Sequence, residues 1–268
     1  MLEGVTRRLF GQIGNGGGTA PSEPPRRPRI GFAVGGGVAR GWAGIGVVRR
    51  LIAAGIEPDV VAGTSMGSVV GACLVGGHLD RLAAFAESLT PRRVLSLIDL
   101  HLGSAGLIGG DHLARLLAEH FGDTTIDRLP RPFTAVATEL ATGHEIWLNS
   151  GRVVDALRAS YALPGVFSPV RISGRTLVDG ALVDPVPVAV CRAQGAELVI
   201  AINLATDTFA HGTVVQTLPA HDPEPAAPPE GLGAGLLRRL FGTGDDRLGL
   251  TGVMMESFNI IQDRITRS

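Results

Sequence analysis

Two glycine-rich loops, each between a short apolar segment and a helix-like segment, constrain this chain more than any other feature. Residues 30–34 are apolar and lead into three glycines, and residues 59–62 are apolar and lead into Gly63. Residues 42–54 and 66–75, which follow the loops, have the apolar spacing or content of helices. Strand, loop and helix therefore occur twice within fewer than fifty residues. This order predicts two parallel strands joined by a crossover helix.

Later segments extend this pattern into one α/β domain over residues 29–268. The chain has 268 residues and is 45% hydrophobic, enough for one sizeable core. Apolar spacing predicts further helices at 79–89, 112–121, 153–160 and 186–192. Short apolar runs predict further strands at 133–139, 144–148 and 198–203. We therefore expect helices packed on a mainly parallel central sheet.

Three segments fall outside this regular pattern. Residues 1–28 include a stretch rich in Gly, Pro and Ser, which predicts a flexible leader. Residues 217–231 contain five prolines and are expected to form a linker or long loop. Residues 248–265 are predicted to form a C-terminal docking helix. The expected apolar face of that helix comprises Val253, Phe258, Ile261 and Ile265.

Composition excludes several classes of function. The formal net charge is −1, so no overall positive field attracts nucleic acid. All 24 basic residues are arginine, which excludes a Schiff-base lysine. The seven histidines show no paired metal-ligand spacing, so we expect neither a metal nor another cofactor. With no secretory signal and no apolar run of membrane-spanning length, a cytoplasmic location is expected.

The second glycine loop contains a candidate nucleophile, Ser65. Gly63-Thr64-Ser65-Met66-Gly67 matches the Gly-Xaa-Ser-Xaa-Gly pattern of a nucleophile elbow. Such an elbow requires a sharp strand-to-helix turn, and glycines at Gly63 and Gly67 relieve crowding of the backbone there. The match lies between a predicted strand and a predicted helix, as the elbow requires. An ordinary glycine-rich turn remains the alternative.

The first glycine loop, Gly35-Gly36-Gly37-Val38-Ala39-Arg40-Gly41, is a candidate oxyanion hole. Consecutive glycines leave backbone N–H groups accessible to an anion. A dinucleotide fingerprint would require glycine where Arg40 stands, and a phosphate-binding P-loop would require lysine. A tight turn without a ligand is the remaining alternative.

The candidate base is Asp179, in the only Asp-Gly pair of the chain. A nucleophilic serine needs a partner that accepts its proton. Asp179-Gly180 with apolar residues on both sides is also a strong signal for a β-hairpin turn, so the hairpin stays open. A Ser–Asp–His order would instead require His211 or His221, which lie in polar, proline-flanked stretches.

The glycine triplet with Arg40, the serine elbow and Asp179-Gly180-Ala181 occur in this order, and here the sequence resembles the patatin-like phospholipase family, small bacterial members in particular. The resemblance covers roughly residues 29–204 and includes the Pro- and Phe-containing block at 159–170. It implies a three-layer α/β/α sandwich and a Ser–Asp dyad without histidine. Ser65 would form the acyl-enzyme and Asp179 would act as base. Amides around Gly36 and Gly37 would bind the oxyanion, and Arg40 would support that loop.

The resemblance implies an acyl ester of a lipid as substrate. A repeated Arg-Arg-Leu-Phe-Gly, at 7–11 and 238–242, adds the hypothesis of transient contact with a membrane surface, against the alternative of solvated helix ends. A non-catalytic regulatory module on the same fold is a further alternative.

Overall fold

The computed structural model describes residues 26–88 and 111–204, together with residues 253, 257, 258, 260–262, 264 and 265. The proline-rich segment 217–231 and both Arg-Arg-Leu-Phe-Gly segments lie outside the described residues. Of the predicted leader, residues 26–28 are described, and two of them are anchored to the domain. Arg26 pairs with Glu197 at 2.8 Å, and Arg27 pairs with Asp59 at 2.7 Å.

The described residues between 26 and 204 form seven strands and six α-helices. The strands are β1 (Ile30–Val34), β2 (Val60–Thr64), β3 (Phe133–Glu139), β4 (Glu145–Leu148), β5 (Val170–Ile172), β6 (Arg175–Asp179) and β7 (Leu198–Ile202). The helices are α1 (Ala43–Ala53), α2 (Met66–Val75), α3 (Leu79–Glu87), α4 (Asp111–Phe121), α5 (Val153–Ser160) and α6 (Val188–Ala193). Short 3-10 helices occupy Val38–Trp42, Ile126–Arg128 and Gly180–Leu182.

The two predicted strand–loop–helix units form the parallel centre of the sheet. The strand order is β5-β6-β3-β2-β1-β7, and β4 pairs with β3 off this path. β1 is parallel to β2 and to β7, and β2 is parallel to β3. The prediction of parallel strands joined by a crossover helix is therefore correct for β1 and β2.

The other part of the sheet is antiparallel. β3 pairs antiparallel with β4 and with β6, and β5 pairs antiparallel with β6. The connection between β5 and β6 is Ser173-Gly174, where both residues have positive φ (50° and 79°). That backbone geometry suits a two-residue hairpin, which needs no crossover helix. The sheet is therefore mixed.

Helices cover both faces of the sheet, as in an α/β sandwich. Alternate residues of β1 point in opposite directions, so Phe32 and Val34 pack into the larger core cluster and Ala33 packs into a second one. The larger cluster contains residues of α1, α2, α4 and α5, whereas the second contains Val190 and Cys191 of α6. These two apolar layers separate the helices from the sheet and confirm the predicted three-layer arrangement.

The described C-terminal residues are helical, but their buried face differs from the predicted one. Phe258 and Gln262 are buried and Ile265 is half-buried, while Val253 and Ile261 are exposed. The spacing 258, 262 and 265 follows the helical repeat, which brings these three residues to one face. The expected face missed Gln262 because only apolar residues were considered. No helix in the described part is long and apolar enough to cross a membrane.

Glycines at the second loop permit close contact between backbone segments. A Cβ atom added at Gly67 would lie 2.1 Å from the Val34 carbonyl oxygen, and one at Gly63 would lie 2.5 Å from Ser68 Cα. Both distances are far below van der Waals contact, so any side chain would push α2 away from the ends of β1 and β2. The structure thus explains the need for glycine at both motif positions.

We predict that Gly67→Ala lowers the free energy of unfolding by about 1–3 kcal/mol, the usual range for overpacking against fixed groups. The matched control is Gly46→Ala in α1, where an added Cβ has no atom within 4 Å. Alanine favours helix over glycine, so the control is expected to gain roughly 0.5–1 kcal/mol. Urea unfolding of the three proteins measures both changes. Equal stability of Gly67→Ala and wild type would contradict the packing argument.

Candidate active site

The register of β3 brings Ser65 and Asp179 together. Thr64, the last residue of β2, pairs with Val136, and Asp179, the last residue of β6, pairs with Ala137. Since Val136 and Ala137 are consecutive, the ends of β2 and β6 meet beside one another. Ser65 Oγ donates a hydrogen bond of 2.7 Å to Asp179 Oδ2.

The backbone of Ser65 is strained and is held by two other serines. Its φ is 54° and its ψ is −128°, a conformation that costs a non-glycine residue on the order of 1–3 kcal/mol. Ser65 N donates to Ser160 Oγ at 2.9 Å, and Ser65 O accepts from Ser68 Oγ at 2.6 Å. Ser160 Oγ in turn donates to Val136 O at 2.6 Å. The strain therefore lies at the sharp strand-to-helix turn, as in a nucleophile elbow.

Asp179 is a buried carboxyl group with only 1% of its surface exposed. Burial raises its pKa from 3.8 to about 7, although hydrogen bonds from Ser65 Oγ and from the Ala181 amide act in the opposite direction. The Ala181 N to Asp179 Oδ1 distance is 2.9 Å. A carboxyl group with a pKa near neutrality is a stronger base than an ordinary aspartate.

The chain does not turn as a hairpin after Asp179, so the hairpin alternative is wrong. Asp179 ends β6, and the 3-10 helix Gly180–Leu182 follows directly. A Cβ at Gly180 would lie 2.2 Å from Val136 O. Glycine is therefore needed for close approach to β3. The Asp179 backbone is fixed as well, because its amide donates to Ala162 O and its carbonyl accepts from Thr138 Oγ1.

The first glycine loop lies beside Ser65, but two of its amides already have acceptors. Gly35 N donates to Ile202 O and Gly36 N donates to Pro185 O, both at 2.9 Å. These bonds correct the expectation that Gly35 and Gly36 offer amides to an oxyanion. Within the described part of the chain, no acceptor is found for Gly37 N. Arg40 is exposed, and its amide donates to Gly37 O at 2.8 Å.

Three polar residues near the site were not singled out as functional from the sequence. Ser160 lies at the end of α5, and no local pattern marks a helical serine as a hydrogen-bond partner of a distant amide. Asp184 O accepts from Thr64 Oγ1 at 2.8 Å, which ties the segment after Asp179 to the end of β2. Gln262 Nε2 lies 3.6 Å from the Cβ position of Gly36, and Ser65 Cβ lies 3.4 Å from the same position. Helical spacing from Phe258 would have indicated Gln262.

Other reactive side chains of the described residues lie apart from this arrangement. Burial raises the pKa of Cys73 to about 12 and that of Cys191 to about 11, so both thiols stay protonated. His78 packs against the rings of His120 and Phe121. His211 and His221 lie outside the described residues. In the described part, no group of three or more His, Cys, Asp or Glu is placed to hold a metal ion.

A strained serine at a strand-to-helix turn, bonded to a buried carboxyl group, defines the class of α/β proteins that have a serine elbow. The family model described as patatin-like phospholipase matches residues 32–192, more than half of the chain. The chain belongs to the patatin-like phospholipase family.

Two relatives that each match more than half of this chain have NTE in their names. An uncharacterised NTE family protein of Mycobacterium bovis is 40% identical over 198 residues, covering 74% of this chain and 53% of that protein. The lysophospholipase NTE1 of Coccidioides immitis is 32% identical over 180 residues, covering 65% of this chain and 11% of that protein. The crystal structure of VipD from Legionella pneumophila matches with a TM-score of 0.46 and 14% identity, covering 59% of this chain and 46% of that chain. The chain thus spans about half the length of the bacterial relative and a small part of the fungal one.

We predict that Ser160→Ala destabilises the protein by about 1–3 kcal/mol, because it leaves the Ser65 amide without its buried acceptor and Val136 O without its buried donor. The control is Ser88→Ala at the end of α3, whose hydroxyl donates to Phe85 O away from the site. Urea unfolding compares the two variants. If Ser160→Ala lowers the free energy of unfolding no more than the control does, the proposed role of Ser160 in holding the Ser65 backbone is contradicted.

A second prediction concerns the pH dependence of stability. The pKa of Asp179 is about 7 in the folded protein against 3.8 for an ordinary aspartate, so the folded state binds the proton more tightly. The free energy of unfolding of wild type should therefore fall relative to neutral Asp179→Asn as pH rises from about 4 to about 7. The slope should approach 1.4 kcal/mol per pH unit. Urea unfolding of both proteins from pH 4.5 to 7.5 measures it, and parallel curves would contradict the raised pKa.

Proposed function

We propose that this chain is a lipid acyl hydrolase in which Ser65 is the nucleophile and Asp179 is its base. The observation that carries the proposal is the 2.7 Å bond from Ser65 Oγ to Asp179 Oδ2 at a strained strand-to-helix turn. A hydroxyl bonded to a carboxylate can lose its proton to that carboxylate as its oxygen attacks a carbonyl carbon. Membership of the patatin-like phospholipase family and the name of the fungal relative support a lipid ester as substrate.

The reaction would proceed in two steps. Ser65 Oγ attacks the ester carbonyl while its proton passes to Asp179 Oδ2, and the leaving alcohol takes that proton as the acyl-serine forms. Water then attacks the acyl-serine and gives a proton to Asp179, which returns it to Ser65 Oγ as the carboxylic acid departs. The same carboxyl group acts first as base and then as acid in each step, a role suited to a pKa of about 7.

The oxyanion of each tetrahedral intermediate would be stabilised by amides at the starts of two helices. The Ser65 amide already donates a hydrogen bond to Ser160 Oγ, and the Gly35 and Gly36 amides already donate to backbone carbonyl oxygens. We therefore assign the role to the amide of Gly37 and to that of Met66, the first residue of α2. The positive end of the α2 dipole favours negative charge at this position.

An apolar cluster lies beside the dyad. Leu163, Val166 and Phe258 pack together with Ala181, whose amide donates to Asp179. These apolar surroundings help to keep water from the Asp179 carboxyl group, in keeping with its raised pKa.

We predict that Ser65→Ala and Asp179→Asn each lower kcat/KM for a p-nitrophenyl acyl ester on the order of 10³-fold or more. The first change removes the nucleophile, and the second keeps the shape of the side chain but removes its basicity. Ser88→Ala and Asp80→Asn are the controls. Ser88 lies at the end of α3, and the exposed Asp80 pairs with Arg49, so both should keep wild-type activity.

Two outcomes would contradict this assignment. Loss of activity on changing His211 or His221 to Gln would favour a Ser–His–Asp arrangement. Failure of a fluorophosphonate probe to label folded wild-type protein, while it labels a known serine esterase, would favour a non-catalytic module. Membrane contact through residues 7–11 and 238–242 stays a prediction, which liposome co-sedimentation of chains lacking these segments would test.

A further inference from the structure

The described C-terminal residues expose apolar side chains to solvent as well as burying others. Val253, Ile260 and Ile261 are exposed by 48%, 44% and 44%. They are three of the six large apolar side chains that are exposed in the described part of the chain, and all three lie in this short segment. Ser257 and Arg264 are exposed as well.

Helical spacing brings these exposed residues to one side. Every described residue between 253 and 265 is helical, and positions 253, 257, 260, 261 and 264 recur at intervals of three or four residues or their sums. Such positions share one face of a helix. The buried or half-buried positions 258, 262 and 265 share another face. The outer face is apolar, although the outer face of a surface helix is usually polar.

The buried face of the same helix lies against the candidate active site. Phe258 packs with Ala181, whose amide donates to the candidate base. Gln262 Nε2 lies 3.6 Å from the Cβ position of Gly36, and Ser65 Cβ lies 3.4 Å from that same position. A surface that binds the outer face would therefore be held about 10 Å, one helix diameter, from the dyad.

The chemistry of the outer face matches a lipid surface with anionic head groups. Arg264 lies one helical turn after Ile260 on the same side, and its long stem can follow apolar surface while its guanidinium group reaches a head-group phosphate. Apolar area combined with basic side chains is what holds an amphipathic helix at a bilayer surface.

The described part of this face is small for a protein partner. A standard protein interface buries roughly 800 Å² on each partner, far more than three partly exposed apolar side chains supply. Binding to a bilayer has no such minimum area, because its strength grows with each apolar side chain that is inserted. A lipid surface is therefore the better match.

We propose that the outer face of the C-terminal helix, formed by Val253, Ile260, Ile261 and Arg264, docks on an anionic lipid surface. The dyad would then be held next to the lipids that carry its substrate. The choice of a lipid surface rests on the proposed function, because a lipid acyl hydrolase takes its substrate from such a surface. Docking itself requires no reaction at Ser65.

The test is co-sedimentation of the full-length Ser65→Ala protein, which leaves lipids intact, with two kinds of vesicle. One is phosphatidylcholine alone, and the other is an equimolar mixture with phosphatidylglycerol. The mixture should bind the protein about fivefold more tightly, as expected for one basic side chain at an anionic surface, and Arg264→Gln should remove that preference. Adding Ile260→Gln/Ile261→Gln should lower the partition coefficient at least tenfold. Glutamine is as good a helix former as isoleucine, so the helix is kept.

The matched control, Val47→Gln/Leu140→Gln, removes two other exposed apolar side chains, one in α1 and one just after β3. It should partition as the parent protein does. Failure of the parent to bind, unchanged binding of the double isoleucine variant, or an equal loss in the control would each overturn the proposal. Concentration-dependent dimerisation that the double variant abolishes would also overturn it, because the face would then belong to a second copy of this chain.

A second measurement applies if the double variant has a lowered thermal midpoint. Both natural cysteines are buried, so an NBD dye can be attached at Ile261→Cys. Its emission should shift to the blue on addition of the mixed vesicles, whereas dye at Val47→Cys should not respond. The same response at both positions, or none at 261, would overturn the proposal.

Turnover of a soluble p-nitrophenyl acyl ester by the wild-type protein reports on the proposed function separately. Turnover without vesicle binding would contradict the docking alone. Vesicle binding through the outer face without turnover would support the docking and contradict the hydrolase assignment.

Discussion

A carboxyl group with almost no exposure to solvent must find its hydrogen bonds inside the protein, and Asp179 finds two. One comes from the hydroxyl of Ser65 and the other from the amide of Ala181. Both donors are needed, since a buried carboxyl oxygen without a partner is costly. This requirement ties the end of β2, the end of β6 and the following 3-10 helix into one arrangement. The raised pKa of the carboxyl group is a consequence of the same burial.

The second element of the arrangement is a set of serines. Ser65 supplies the hydroxyl that meets Asp179, Ser160 accepts from the Ser65 amide, and Ser68 donates to the Ser65 carbonyl. The amide and the carbonyl of the strained Ser65 backbone are thus both hydrogen-bonded to short side chains, which lose little conformational entropy on burial. Ser160 also reaches Val136 O, so the same bond network includes β3. Strain at Ser65 is therefore compensated by contacts from three separate segments.

Local patterns predicted the features that local residues determine. The helices α1, α2 and α5 and the strands β1 and β3 follow from apolar spacing, and the elbow at Ser65 follows from its flanking glycines. The short antiparallel strand β5 was missed, because three residues carry no detectable period. The Gly35 and Gly36 amides donate to the carbonyl oxygens of Ile202 and Pro185, which are distant in sequence. The sequence therefore could not predict that these two amides already have acceptors. The meeting of Ser65 with Asp179 was implied by family resemblance and not by the residues alone.

The contact between Ser65 and Asp179 depends on the spacing of two positions along β3. Val136 pairs with the residue before Ser65, and its neighbour Ala137 pairs with Asp179 itself. Residues of a strand alternate between the faces of the sheet, so inserting or deleting one residue between these two positions would turn one partner away from the other. Substitutions in β3 that preserve its small, buried side chains leave that count intact. An insertion or deletion at this point of β3 is therefore expected to separate the two side chains, whereas a conservative substitution there is not.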